Sequence, residues 1–182
     1  MADSLKMLVV NDLDKAIQAL GVEQSVIGAD RTGGADARSA LAAADTAAQA
    51  SGVPILLRKG VYKVSSSLTI SSPVRVQPGA IIKPDNGITV TLAGGVDAPL
   101  RQIFDISGGG KVRLGNSTLY PEYWGAVGDG ATDDSAALRM MFNDSVAAFD
   151  GGQICIPGGK VYASSLPIDV NGVFPMDETG WF

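Results

Sequence analysis

The stretch "YPEYWGAVGDGATDDSAALRMMF", residues 120–142, places a Tyr-Trp pair, a run of glycines and three clustered aspartates immediately before an apolar, helix-forming segment. Clustered carboxylates can hold a hard cation or act as an acid-base pair on a sugar. They can equally begin a helix, where the exposed N–H groups and the macrodipole favour negative charge. The run lacks the alternating oxygen ligands and closing Glu of a calcium loop. Thr132 or Asp133 is therefore the expected helix cap, and "GDG" supplies a turn with special backbone angles.

An earlier segment supports that choice, because the chain states the same theme twice. "GADRTGGADARSAL", residues 28–41, aligns without a gap on "GAVGDGATDDSAAL", residues 125–138. Gly28 meets Gly125, Gly33 meets Gly130, Asp36 meets Asp133 and Leu41 meets Leu138. Each copy runs on into an Ala-rich stretch ending at Ser51-Gly52 or Gly151-Gly152. An apolar strand and a Gly before "VY" or "KVY" follow, so that Tyr62 corresponds to Tyr162. The repeated unit reads as loop, helix, strand, tight turn, strand. The first copy keeps one acid at the helix start but has Ala37 opposite Asp134, a loss that a duplicated catalytic pair would not survive.

Between the copies lie short Val-, Ile- and Thr-rich segments, among them "SLTI", "VRVQ", "AIIKP" and "KVRLG", broken by "SSP", "QPG", "PDNG" and "GGG". These are strands separated by turns, with no helices between them, and predict stacked rungs or a compact sandwich. "SGGGK", residues 107–111, is one such turn, since it lacks the spacing and following helix of a phosphate loop. Near the N-terminus, Leu13, Ile17 and Leu20 fall at helical spacing before Gly21 and predict a short amphipathic helix that seeks a partner surface.

Composition bounds the chemistry. In 182 residues, 46% are hydrophobic and 18% charged, enough to bury a core. Fourteen basic residues are scattered against nineteen acidic ones for a net charge of −5, which argues against nucleic acid as a partner. There is no histidine, so His-based triads and His-ligated zinc are excluded. The single Cys155, in the apolar run "GGQICIPGG", reads as a small buried hydrophobe. No run approaches the length of a membrane span, so no membrane insertion is expected. No cofactor, metal site or catalytic residue is assigned. The pair Tyr123-Trp124 is read as a packing anchor rather than a sugar-stacking platform.

"WGAVGDGATDDSAAL", followed by a helix and "GGQICIPGGKVY", resembles the start of the pectate-lyase-like right-handed parallel β-helix as it occurs in phage tailspikes and tail-fibre depolymerases. The resemblance is most specific over residues 100–162. It implies a mainly β chain with a compact N-terminal β-domain carrying a short capping helix, then a second capping helix and the first rungs of the β-helix. The implied divisions are residues 1–27 as a virion-anchoring segment, 28–120 as a particle-binding β-domain and 121–182 as the β-helix start. Within the motif, Trp124, Gly125, Gly128, Asp129, Gly130, Asp133 and Asp134 are structural residues at the blunt end of the solenoid, with catalytic carboxylates expected further along.

The function so implied is the N-terminal, tail- or baseplate-binding part of a homotrimeric tailspike, with Leu13, Ile17 and Leu20 as the anchor. The full-length form would bind and degrade a bacterial surface polysaccharide through downstream rungs, and the protein would be made in the host cytoplasm and carried in the virion. The alternatives are a free-standing polysaccharide lyase or hydrolase of the pectate-lyase-like family, and a bacterial surface adhesin.

Overall fold

The computed structural model describes residues 23–115, 117–142 and 153–165. The expected anchor residues Leu13, Ile17 and Leu20 lie outside this set, as do Gly151 and Gly152. The chain is mainly β, with two α-helices among the described residues.

The strands are β1 (Gln24–Ser25), β2 (Thr32–Asp36), β3 (Ile55–Leu57), β4 (Gly60–Val64), β5 (Leu68–Ile70), β6 (Val74–Val76), β7 (Ala80–Pro84), β8 (Thr89–Leu92), β9 (Val96–Asp97), β10 (Lys111–Leu114), β11 (Thr118–Leu119), β12 (Asp129–Asp133), β13 (Gln153–Ile154) and β14 (Val161–Ala163). Helix α1 (Arg38–Ser51) follows β2, helix α2 (Ser135–Met140) follows β12, and a 3-10 turn covers Pro121–Trp124.

Alternation fixes which side of each strand is buried. Leu68 and Ile70, Val74 and Val76, and Val112 and Leu114 are buried, while Thr69, Arg75 and Arg113 between them are exposed. With a period of two, these three strands present one apolar row inward and one polar row to solvent.

Every strand pair is parallel. The orders are β1-β3-β6-β9, β2-β4-β7 and β5-β8-β10, with two smaller pairs, β11-β13 and β12-β14. Thus β3, β4 and β5 pair in turn with β6, β7 and β8. Parallel neighbours need a long return connection, usually a helix. Here the return from β3, β4, β5 and β6 is made by two intervening strands, and that from β1 and β2 includes helix α1. A bridge from Ile82 to Phe104 extends the second set.

The inward rows meet in one core. Ile55, Leu57, Ile70, Leu92, Phe104 and Leu114 are at most 2% exposed, and the same buried cluster runs from Ala37 to Met141, with members on both sides of position 120. Burying each such side chain contributes about 1.5–3 kcal/mol.

The sequence repeat is also a structural repeat. The path β1-β2-α1-β3-β4, in which β1 pairs with β3 and β2 with β4, recurs as β11-β12-α2-β13-β14. Both copies carry the same irregularity, with the register shifting between Thr32 and Asp36 in one and between Asp129 and Asp133 in the other. No helix among the described residues is long and apolar enough to cross a membrane.

Helix α1 shows how the first unit is fastened. Leu41, Ala44, Asp45 and Ala48 are its buried face, and it ends at Gly52, whose left-handed backbone lets its N–H reach the Ala48 carbonyl. The carboxylate of Asp45 accepts hydrogen bonds from the backbone N–H of Ser71 (3.1 Å) and Ser72 (2.9 Å), tying the helix to the turn between β5 and β6. Replacing Asp45 by Ala leaves both amides without that acceptor and is expected to cost about 1–3 kcal/mol in chemical denaturation. Asp45→Asn, which keeps one acceptor oxygen, is expected to lose less. Equal losses in the two variants would show that the bonds to Ser71 and Ser72 do not hold the helix.

Candidate functional site

The loop "GDGATDD" is built by its own carboxylates. The Oδ1 atom of Asp129 accepts the N–H of Ala131 (2.9 Å) and Thr132 (2.7 Å), and its Oδ2 accepts the Thr132 hydroxyl (2.8 Å). Those bonds, the Thr132 and Ala131 amides foremost, lower the Asp129 pKa to about 2. Gly128 sits at φ +66°, and a Cβ there would lie 2.9 Å from the Lys160 side chain and 3.0 Å from the Tyr162 ring. A glycine is required at that position on both counts.

Asp133 joins two distant segments. Its Oδ1 accepts the backbone N–H of Ser135 (3.0 Å) and Ser165 (3.3 Å), and the hydroxyls of both serines also donate to its carboxylate. The Ser135 and Ser165 hydroxyls are the main reason its pKa lies well below the usual carboxylate range. Asp133 does not occupy the capping position expected for it or Thr132. The N-cap residue is Asp134, at φ −91° and ψ 5°, with no side-chain cap bond. Asp133 stands one residue earlier and holds the first helical amide together with the chain leaving β14. Asp134 is 2% exposed and turns back to accept the N–H of Val127 (2.7 Å) and Gly128 (3.1 Å).

The first copy reproduces this arrangement with different residues. Asp36 accepts the N–H of Arg38 (3.1 Å) and Ser65 (3.0 Å), as Asp133 does for Ser135 and Ser165. Ala37 has the N-cap angles of Asp134, φ −91° and ψ 0°. The loop role of Asp129 passes to Asp30, two positions earlier in the alignment. Asp30 accepts the amides of Thr32 (2.8 Å) and Ala35 and the Thr32 hydroxyl (2.7 Å), and its pKa is lowered to about 2, chiefly by the Ala35 and Thr32 amides. The first copy, which has Thr32 opposite Asp129, is therefore closed by the same chemistry.

Trp124 and Tyr123 are 4% and 3% exposed. Their rings pack on Phe104, with centroids 5.2 Å from Trp124 and 6.3 Å from Tyr123, so neither offers a free face to a sugar. Gly125, at φ +97°, ends the 3-10 turn that carries them. Cys155, expected to be buried, is half-buried just beyond β13. Residues 107–110 form a turn closed by the Gly109 N–H on the Ile106 carbonyl.

Sequence reasoning passed over Glu122. It lies in the 3-10 turn, 4% exposed, and its Oε1 accepts the Tyr162 hydroxyl at 2.5 Å. Burial, and then the bond to Glu122, push the Tyr162 pKa up. Its Oε2 is buried without a hydrogen-bond partner. Glu122 thus links the turn after β11 to β14 across the second unit, whereas Tyr62 in the first unit donates to the Arg58 carbonyl at 2.9 Å. A Pro ahead of an acid in a helical first turn was visible in the sequence. The burial of the acid was not.

Beside α2 is a cleft of about 180 Å³. Gln102, Asp105, Thr132 and Asp133 stand along it, with Phe104, Trp124 and Met140 among its apolar lining. Asp105 is paired with Lys83 at 2.8 Å, and that pairing is the first cause of its lowered pKa. Among the described residues no group of three or more His, Cys, Asp or Glu side chains is placed to hold a metal ion. The motif carboxylates act as hydrogen-bond acceptors for their own turn and helix start, an arrangement suited to structure rather than proton transfer.

Two outcomes test this assignment. The carboxyls of Asp30, Asp129 and Asp133 have folded-state pKa values below that of an unfolded Asp, about 3.9. Their stabilisation is therefore complete above pH about 4 and is lost as pH falls toward about 2, where the unfolded chain binds more protons. The melting temperature should drop steeply across that window, and Asp133→Asn should melt lower at neutral pH but with a shallower acid slope. An unchanged slope in Asp133→Asn would remove Asp133 from the acid-labile set. Separately, Glu122→Ala strands the Tyr162 hydroxyl and should cost about 1–3 kcal/mol, with Glu122→Gln costing less, as read from urea unfolding midpoints.

In comparisons of sequence and of structure, no family model, no curated protein and no solved structure matches this chain.

Proposed function

We propose that the chain is the virion-attachment part of a trimeric phage tailspike, in which the parallel strand sets wind as a right-handed parallel β-helix. In this reading residues 1–27 attach to a tail or baseplate protein through Leu13, Ile17 and Leu20. Residues 28–120 form the particle-proximal β-domain, and residues 121–182 open the β-helix whose later rungs bind and cleave a host surface polysaccharide.

The observation that carries the reading is the recurrence of the path β1-β2-α1-β3-β4 as β11-β12-α2-β13-β14. A helix between two parallel circuits is the arrangement expected where a coil of strands begins, and the chain contains it twice. The register of Leu68 with Val90 and of Val90 with Val112 is that of successive circuits of about 22 residues, within the roughly 20–45 residues of stacked repeats. The carboxylates of residues 129–134 are taken up by loop and helix-start bonds, which favours placing the polysaccharide chemistry elsewhere in the full-length protein.

Deleting residues 1–20 is expected to leave the remaining chain folded by circular dichroism and to abolish its incorporation into tails. Incubating the intact chain with host capsule or lipopolysaccharide is expected to release no oligosaccharide. Release that disappears on mutating Asp129 or Asp133 would overturn the attachment reading in favour of a free-standing polysaccharide lyase or hydrolase.

A further inference from the structure

The cleft beside α2 has an acidic rim over an apolar interior. Asp105 is matched by Lys83, and among the described residues no ion pair neutralises the exposed Asp133; Asp134, which also lines the cleft, is buried with its carboxylate on the Val127 and Gly128 amides. At about 180 Å³ it is smaller than the roughly 300–1,000 Å³ of small-molecule sites, and suits one or two side chains.

A matching projection lies just ahead of Gln102 in the chain. Between β9 and Phe104 the chain turns through Ala98–Arg101, with the Arg101 N–H on the Pro99 carbonyl at 2.8 Å. Leu100 is 53% exposed, and the neighbouring Arg101 is exposed with no side-chain partner among the described residues. Pro99 restricts the backbone behind them, so ordering this tip on contact costs little entropy.

We infer that Leu100 and Arg101 of one copy of the chain seat in the Asp105–Asp133 cleft of a second copy, the leucine entering the apolar interior and the guanidinium meeting the acidic rim. The inference rests on the trimer of the preceding reading and names the surface that forms it. Projection and cleft are different patches, so the contact is head-to-tail, and such a contact either closes into a ring or runs on as a filament. The tip Ala98–Arg101 directly precedes Gln102, which lines the cleft, whereas Trp124, Thr132, Asp133 and Met140 reach it from a later part of the chain. The opposed charges also disfavour cleft against cleft and projection against projection.

The test uses the 182-residue chain with Cys155→Ser, in two further single-cysteine variants, Leu100→Cys and Ala136→Cys. Ala136 is exposed and lines the cleft. The two variants are co-expressed with different tags and oxidised, with the assembled mass read by light scattering. A disulfide joining the two tags, in a trimeric species, is the expected result. A trimer without that disulfide overturns the proposed surface and leaves the trimeric reading intact. A monomer overturns both. Arg101→Glu, an exposed change that should not affect folding, is expected to raise the concentration needed for half-assembly by about tenfold in low salt and by less in high salt, as for a partly screened ion pair. An unchanged assembly midpoint would remove Arg101 from the contact.

Discussion

The tie between an aspartate at a helix start and the strand that returns after it is the constraint on which the fold depends. Asp133 holds the first amide of α2 and the amide of Ser165, and Asp36 holds Arg38 and Ser65 in the same way. Each carboxylate thereby joins the start of a helix to the end of the strand that returns after it. The parallel pairs β2-β4 and β12-β14 share their register because this bond sits at the same place beside each. A hydrogen bond to a charged group is worth more than a neutral one.

The backbone plan was legible in the sequence where it depended on periodicity and on residues with restricted chemistry. The segments "SLTI" and "KVRLG", read as strands, are β5 and β10, and the repeat of "GADRTGGADARSAL" located both helices, although the stretches read as loops before them contain the strands β2 and β12. Tyr123 and Trp124, read as packing anchors, are buried against Phe104. Long-range partners were not legible. The acceptor role of Asp45 needs Ser71 and Ser72 nearby, 26 and 27 residues away in sequence, and Glu122 meets Tyr162 across 40 residues. No local pattern encodes those meetings. The cap position falls at Asp134, one residue after Asp133 and two after Thr132; Asp133 does hold the first helical amide, but its second partner, the amide of Ser165, lies 32 residues away and left no local signal.

Asp30 shows a second limit of alignment. The gapless match sets Arg31 and Thr32 against Gly128 and Asp129, so no carboxylate stands opposite Asp129. In the structure Asp30 takes that role with donors that are themselves displaced, since the hydroxyl comes from Thr32, opposite Asp129, and an amide from Ala35, opposite Thr132. What the two loops share is a bonding pattern, and more than one sequence can supply it.

Two copies of one path within a chain create a choice of partner during folding. Strand β3 could be met by β11 instead of β1, and β13 by β1 instead of β11, since the paired segments are only two or three residues long. Such exchanges are a recognised failure of repeated architectures and a route to strand-swapped oligomers. The chain carries features that separate the copies. Nine residues, 120–128, bridge β11 and β12 where six, 26–31, bridge β1 and β2, and the longer bridge includes the 3-10 turn that bears Glu122, Tyr123 and Trp124. Only the second unit offers a buried glutamate to its returning tyrosine. The differences between the copies therefore keep each returning strand with its own unit, so that similarity fixes the shape of the unit and divergence fixes its address.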